Sequence, residues 1–132
     1  MQSIKVPWAM YYSDDKFDMT FPDGWSIEVS EMAGGPDIGD SGIREAFANP
    51  IGSPKLSEIA KGKVSAAILI DDLTRPTPAD KLIPYILEEL AEAGIHEDQV
   101  RIIAAVAAHR AMIRPDFIRK LGKDIVDRMQ VI

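Results

Sequence analysis

At 132 residues, 46% of them hydrophobic, the chain can build one core without disulfide or metal staples. It has no cysteine, which excludes a disulfide framework and a thiolate metal site and makes a cytoplasmic setting the expectation. Residues 1–60 carry 4 basic and 10 acidic side chains and residues 61–132 carry 11 of each, a net charge of −6 that argues against nucleic acid, and no apolar stretch approaches the roughly 20 residues of a membrane span.

Phe17, Met19 and Phe21 alternate with Asp18 and Thr20, and Trp25, Ile27 and Val29 alternate with Ser26, Glu28 and Ser30. With Pro22-Asp23-Gly24 between the two runs, the pattern predicts a hairpin with one buried face inside a subregion 1–33. The breaker-rich run from Gly34 to Asp40 reads as turn geometry, since it lacks the spacing and the following Lys-Ser or Lys-Thr of a phosphate loop. Ser41 is a plausible cap for a short helix through Ala48, and a further short segment falls near 56–60.

Residues 64–70 (Val-Ser-Ala-Ala-Ile-Leu-Ile) are continuously apolar, the mark of a strand covered on both faces. The run stops at Asp71-Asp72. Thr77 can cap a helix opened by Pro78, with Leu82, Ile83, Ile86, Leu87 and Leu90 on one stripe, a local kink expected at Pro84, and Gly94 ending it. A second apolar run, 100–107, leads into Ala108-His109-Arg110. Another helix is expected from about Pro115 to Gly122, and an amphipathic stretch follows from Lys123. The fold class is therefore α/β: one domain over 1–132, with a parallel βαβ core and following helix at 64–122 and an N-terminal antiparallel hairpin, a partial Rossmann-like three-layer domain. The chain stops in apolar residues, Gln130-Val131-Ile132, which suggests part of a longer polypeptide.

In an open α/β sheet, ligands bind beyond the carboxyl ends of the strands. A right-handed crossover places the Asp71–Pro78 and His109-Arg110 ends on one edge, so Asp72, Arg75 and His109 can converge. Arg75 is a fixed cation able to hold a carboxylate or phosphate with two hydrogen bonds, and His109 exchanges a proton near neutral pH. Asp72 can orient Arg75, accept a ribose hydroxyl or hold an imidazole tautomer. Structural readings stand beside these: an Asp-Asp turn, an Arg75–Asp72 pair, a histidine that only braces a loop. His96 beside Glu97 and Asp98 reads as a connector, and Arg110, Arg114, Arg119, Lys120 and Lys123 as solvated helix surface. The key parts of a zinc hydrolase (His-x-x-x-His), a serine esterase (Gly-x-Ser-x-Gly) and a dinucleotide site (Gly-x-Gly-x-x-Gly) are all missing.

The string Asp71-Asp72-Leu73-Thr74-Arg75-Pro76-Thr77-Pro78 followed by His109-Arg110 resembles the amino-terminal domain of the nickel-dependent lactate racemase family. Asn49-Pro50-Ile51-Gly52, Ala93-Gly94-Ile95 and Leu121-Gly122 extend the resemblance over nearly the whole chain. It implies an isomerase, a 2-hydroxy-acid racemase or epimerase working by proton-coupled hydride transfer with a nickel-pincer nucleotide (nickel pyridinium-3,5-bisthiocarboxylate mononucleotide). By motif, Asp72, Leu73, Thr74 and Arg75 would line the cofactor, Arg75 would also meet the substrate carboxylate, and His109 would be one of two acid/base histidines, with no metal ligand here. Ala107 and Ala111 stand where that family usually has glycine and proline, and a Cβ at position 107 would crowd a ligand approaching the backbone. The second histidine, the cofactor-anchoring lysine and the nickel-ligating histidine belong to later parts of the family pattern. The expected partners are thus a small 2-hydroxy acid and the C-terminal remainder of the same protein, with the chain alone inactive and not retaining the cofactor. Two rivals are a non-catalytic module in which Arg75 and Arg110 hold an organic acid or a nucleotide phosphate, and a purely structural domain.

Overall fold

In the computed structural model, which describes residues 1–8 and 13–132, strand β1 (Gln2–Pro7) pairs antiparallel with β2 (Lys16–Phe21), Ile4 opposite Met19 and Val6 opposite Phe17. The Lys5–Asp18 ion pair (2.9 Å) and the Trp8–Phe17 ring contact (5.4 Å) reinforce this register. The expected hairpin is present with a different partner. Period-2 alternation marks β2 as a strand but cannot say which neighbour completes the ladder. After the turn at Gly24 (φ +88°) residues 25–30 form no strand, and the Trp25 ring lies against Phe21 instead (6.2 Å). The buried face is not found either, since Phe17 and Met19 are both exposed. This ribbon belongs to the first of two compact units, Met1–Asp37.

The second unit, Ile38–Ile132, contains α1 (Gly39–Ala48), α2 (Leu56–Ala60), β3 (Ala66–Ile70), α3 (Ala79–Glu92), β4 (Val100–Ala104), α4 (Arg114–Leu121), α5 (Lys123–Arg128) and β5 (Gln130–Val131). The three strands are parallel in the order β3-β4-β5, with Ile68 opposite Ile102 and Ile102 opposite Val131. The α/β class, with a parallel βαβ core and an antiparallel ribbon before it, is therefore the observed one. Strand order follows chain order, so two right-handed crossovers put α3 and α4–α5 on the same face of the sheet. Ile70, Val100 and Ile102 point into that face and are buried with Ile83, Leu90 and Leu121. Here the apolar run at 64–70 misled: Ile70 is buried, but Leu69, on the opposite face, is 70% exposed, so among the described residues of the second unit β3 is covered on one face only.

Helix α3 runs through Pro84 because the stripe Ile83, Leu87 and Leu90 stays in phase and buried across it. It ends in a Schellman motif: Gly94 takes φ +90°, its N–H bonds the Ala91 carbonyl (3.0 Å), and the Ile95 N–H bonds the Leu90 carbonyl (2.9 Å). Helix α1 begins before Ser41, which sits inside its first turn and makes no cap bond. Among the described residues no helix is long and apolar enough to cross a membrane.

A one-faced sheet predicts unequal costs for truncation along neighbouring residues. Ile83→Ala should lower stability by about 2–5 kcal/mol in a urea titration, whereas Leu69→Ala should stay within about 0.5 kcal/mol. Similar losses at both positions would contradict this arrangement.

Candidate active site

Ile70 and Ala104 are register partners at the last positions of β3 and β4, so the chain leaves both strands at the same edge. After β4 it turns at once. The His109 N–H bonds the Val106 carbonyl (2.9 Å), and Ala107, at the first central position of that turn, takes φ +49°. Left-handed backbone normally calls for glycine. The consequence of the alanine at 107 is thus backbone strain at the turn that presents His109.

The turn carries the imidazole back to the loop after β3. His109 Nδ1 lies 2.5 Å from Asp72 Oδ2, while Asp72 Oδ1 accepts the Thr74 hydroxyl (2.6 Å) and the Thr74 N–H (2.9 Å). The Asp72 side chain is 8% exposed and that of His109 52%. The Thr74 hydroxyl first, and the His109 ring after it, hold the Asp72 carboxyl down at about 2, against a smaller upward push from burial. An ionised Asp72 accepts, so Nδ1 carries the ring proton of neutral His109 and Nε2 is left as the base. Of the three partners open to Asp72 in the sequence, the structure brings it to the imidazole, His109.

Arg75 does not pair with Asp72. It is exposed, and among the described residues its guanidinium has no partner. Leu73 and Thr74 are half-buried in the same loop. Thr77 does not cap α3; its hydroxyl donates to Asp71 Oδ2 (2.5 Å). Burial pushes the Asp71 carboxyl up, but the Lys120 ammonium and the Thr77 hydroxyl outweigh it and leave the group below its usual range.

Lys120 is the residue the sequence reading missed. Taken as solvated helix surface, its side chain is 4% exposed, with Nζ 2.7 Å from Asp71 Oδ1 and donating to the Arg75 carbonyl (2.9 Å). The available signal was helical spacing: Lys120 lies on the stripe of Phe117 and Leu121, which faces the core. Arg110 is likewise engaged, its guanidinium bonding both oxygens of buried Asp116 (2.6 and 3.0 Å), so the binding-module reading loses one of its two arms. Arg114 and Lys123 both pair with Asp127. His96 stays a connector: it is exposed, and its N–H bonds Gln99 Oε1 (2.9 Å) at the start of a short 3-10 turn, Glu97–Gln99.

Two outcomes follow from this geometry. Because the Asp72 pKa is lowered from 3.8 to about 2, its ionised form contributes full stability above 3.8 and loses that contribution as pH falls through about 2. Carboxyl 13C NMR should place its midpoint near 2, and Asp72→Asn should flatten acid unfolding over that window; a midpoint at 3.8 would contradict the pairing. Ala107→Gly should raise stability by about 0.5–1 kcal/mol by relieving left-handed strain, measured by chemical denaturation, and Ala107→Val should lower it.

A family model described as the lactate racemase N-terminal domain matches residues 12–132. The lactate racemase of Thermoanaerobacterium thermosaccharolyticum is 31% identical over 144 aligned positions, covering 100% of this chain and 31% of that protein. That of Lactiplantibacillus plantarum is 33% identical over 90 positions, 68% of this chain and 21% of the relative. The solved lactate racemase apoprotein from T. thermosaccharolyticum aligns with 99% of this chain and 30% of its own, at TM-score 0.67 and 27% identity. The chain thus spans less than a third of the length of these relatives. With a match to 121 of its residues, from 12 to 132, the chain belongs to the lactate racemase N-terminal domain family.

Proposed function

We propose that this chain is the proton-transferring amino-terminal part of a lactate-type 2-hydroxy-acid racemase or epimerase. The observation that carries the reading is the Asp72–His109 pair, which holds Nδ1 and leaves Nε2 as a base on the same sheet edge as the exposed cation of Arg75. Arg75 grips the substrate carboxylate through two parallel N–H bonds and so fixes the carbon that bears the hydroxyl. His109 Nε2 takes the hydroxyl proton, and the ionised Asp72 stabilises the imidazolium that forms. Thr74 keeps Asp72 in place from the other oxygen.

Among the described residues no group of three or more His, Cys, Asp or Glu could hold a metal ion. What the chain does offer is a strand-end loop whose Arg75 cation has no partner among the described residues, at the place where open α/β sheets bind nucleotides. Leu73, Thr74 and Arg75 would line the nickel-pincer nucleotide, with Asp72 beneath them, and the nickel ligands and covalent anchor are assigned to the remainder of the full-length protein. Bound there, the cofactor would supply hydride acceptance and return at the substrate carbon. Inversion also needs a proton acceptor on the opposite face of the substrate. His96 precedes β4, at the other end of that strand from His109, so this group too is assigned to the remainder.

In the full-length protein carrying this domain, with D-lactate as substrate and optical rotation as readout, His109→Ala should lower kcat by about 10²–10⁴-fold. Arg75→Ala should mainly raise KM. Activity untouched by His109→Ala would defeat the assignment. The isolated chain should show no turnover, and stoichiometric retention of nickel by it would contradict placing the metal ligands elsewhere.

A further inference from the structure

Asp72, Asp116 and Lys120 are the buried charged residues among those described, and all three serve the loops at the carboxyl ends of β3 and β4. Two of them, Asp116 and Lys120, are spaced i, i+4 on α4 and lie beside Phe117 and Leu121, which anchor the helix in the core. Lys120 reaches one loop, where its ammonium meets Asp71 Oδ1 (2.7 Å) and the carbonyl of Arg75 itself (2.9 Å). Asp116 reaches the other, accepting two bonds from Arg110, the residue after His109, and the Ile113 N–H (2.9 Å). Apolar side chains at such positions commonly stabilise a fold as well as a buried ion pair does. The charges therefore point to placement of the loops. Lys120 holds the backbone carbonyl of Arg75, and Asp116 holds the side chain of Arg110, which follows His109, and the backbone N–H of Ile113.

We propose that α4 is a clamp that sets Arg75 and His109 relative to one another, with Lys120 the positioning residue for Arg75. This rests on reading Arg75 as the substrate-carboxylate residue. Lys120 has no role in proton transfer. Without its ammonium the Arg75 carbonyl loses the bond that fixes the loop, and the guanidinium samples positions displaced from the carboxylate. A displacement of about 1 Å at a reacting group can lower rate about 10²-fold.

The test uses the full-length enzyme with Lys120→Met, Lys120→Arg and the double variant Asp71→Asn/Lys120→Met, which removes the half-buried carboxylate that Lys120 pairs with and keeps the comparison available should Lys120→Met fail to fold. Arg75→Ala is the benchmark. In the folded single or double variant, amide hydrogen exchange at Thr74 and Arg75 should rise about tenfold or more while exchange in β3 is unchanged, as expected for local opening. KM for D-lactate should rise toward that of Arg75→Ala, kcat should keep its pH profile, and Lys120→Arg should recover part of the loss. Unchanged loop exchange, or a lowered melting temperature with KM intact while Arg75→Ala raises it, would overturn the clamp. If Arg75→Ala itself leaves KM unchanged, the carboxylate assignment fails, and the exchange measurement still decides whether Lys120 holds the loop.

Discussion

Parallel pairing of β3 with β4, with Ile70 opposite Ala104, is the constraint on which the rest of this unit depends. Parallel register forces the chain to cross back through α3 before the second strand begins, and it returns both strand ends to one edge. That is why Asp72 and His109, 37 residues apart, sit within one hydrogen bond. The apolar stripe of α3 and the inward residues of the strands make the crossover stable. A change that shifted the register by one residue would move the end of β3, and the loop carrying Asp72 with it, relative to His109.

Charge is managed locally at this edge. Asp72 is satisfied by Thr74 and His109, Asp116 by Arg110 and the Ile113 amide, and Lys120 by Asp71 and the Arg75 carbonyl. Among the described residues no buried side-chain nitrogen or oxygen lacks a partner. Arg75 differs from these groups in being exposed, with its guanidinium unengaged among the described residues. A rigid, internally satisfied frame around one unengaged cation and one free imidazole nitrogen suits a site that meets a small anion and moves a proton.

Much of this unit could be read from sequence because its signals are local. The breakers around 71–78, the 3.6-residue stripe of α3 and the Gly94 stop each name an element without tertiary information, and the right-handed crossover then places the strand ends. The first strand could not be read so easily. Ile4 and Val6 give only two alternating apolar positions, and β2 carries equal evidence for a partner on either side. One-faced burial of β3 was hidden because an apolar run looks the same whether its second face is covered or not. Lys120 was misread for a different reason: composition marks lysine as surface, and only the helical phase of Phe117 and Leu121 places it inward. The resemblance in the Asp71–Pro78 string identified candidate residues; the structure added the partners of Asp72, Thr74 and His109.

On this reading Asp72 fixes the His109 tautomer, with the proton on Nδ1 and Nε2 available as a base. Nitrogen-15 NMR of the imidazole, recorded where the ring is neutral, tests it most directly. A protonated Nδ1 and an unprotonated Nε2 are expected, with that preference lost in Asp72→Ala. A proton on Nε2 in the unsubstituted chain, or a tautomer unchanged by removing Asp72, would contradict it.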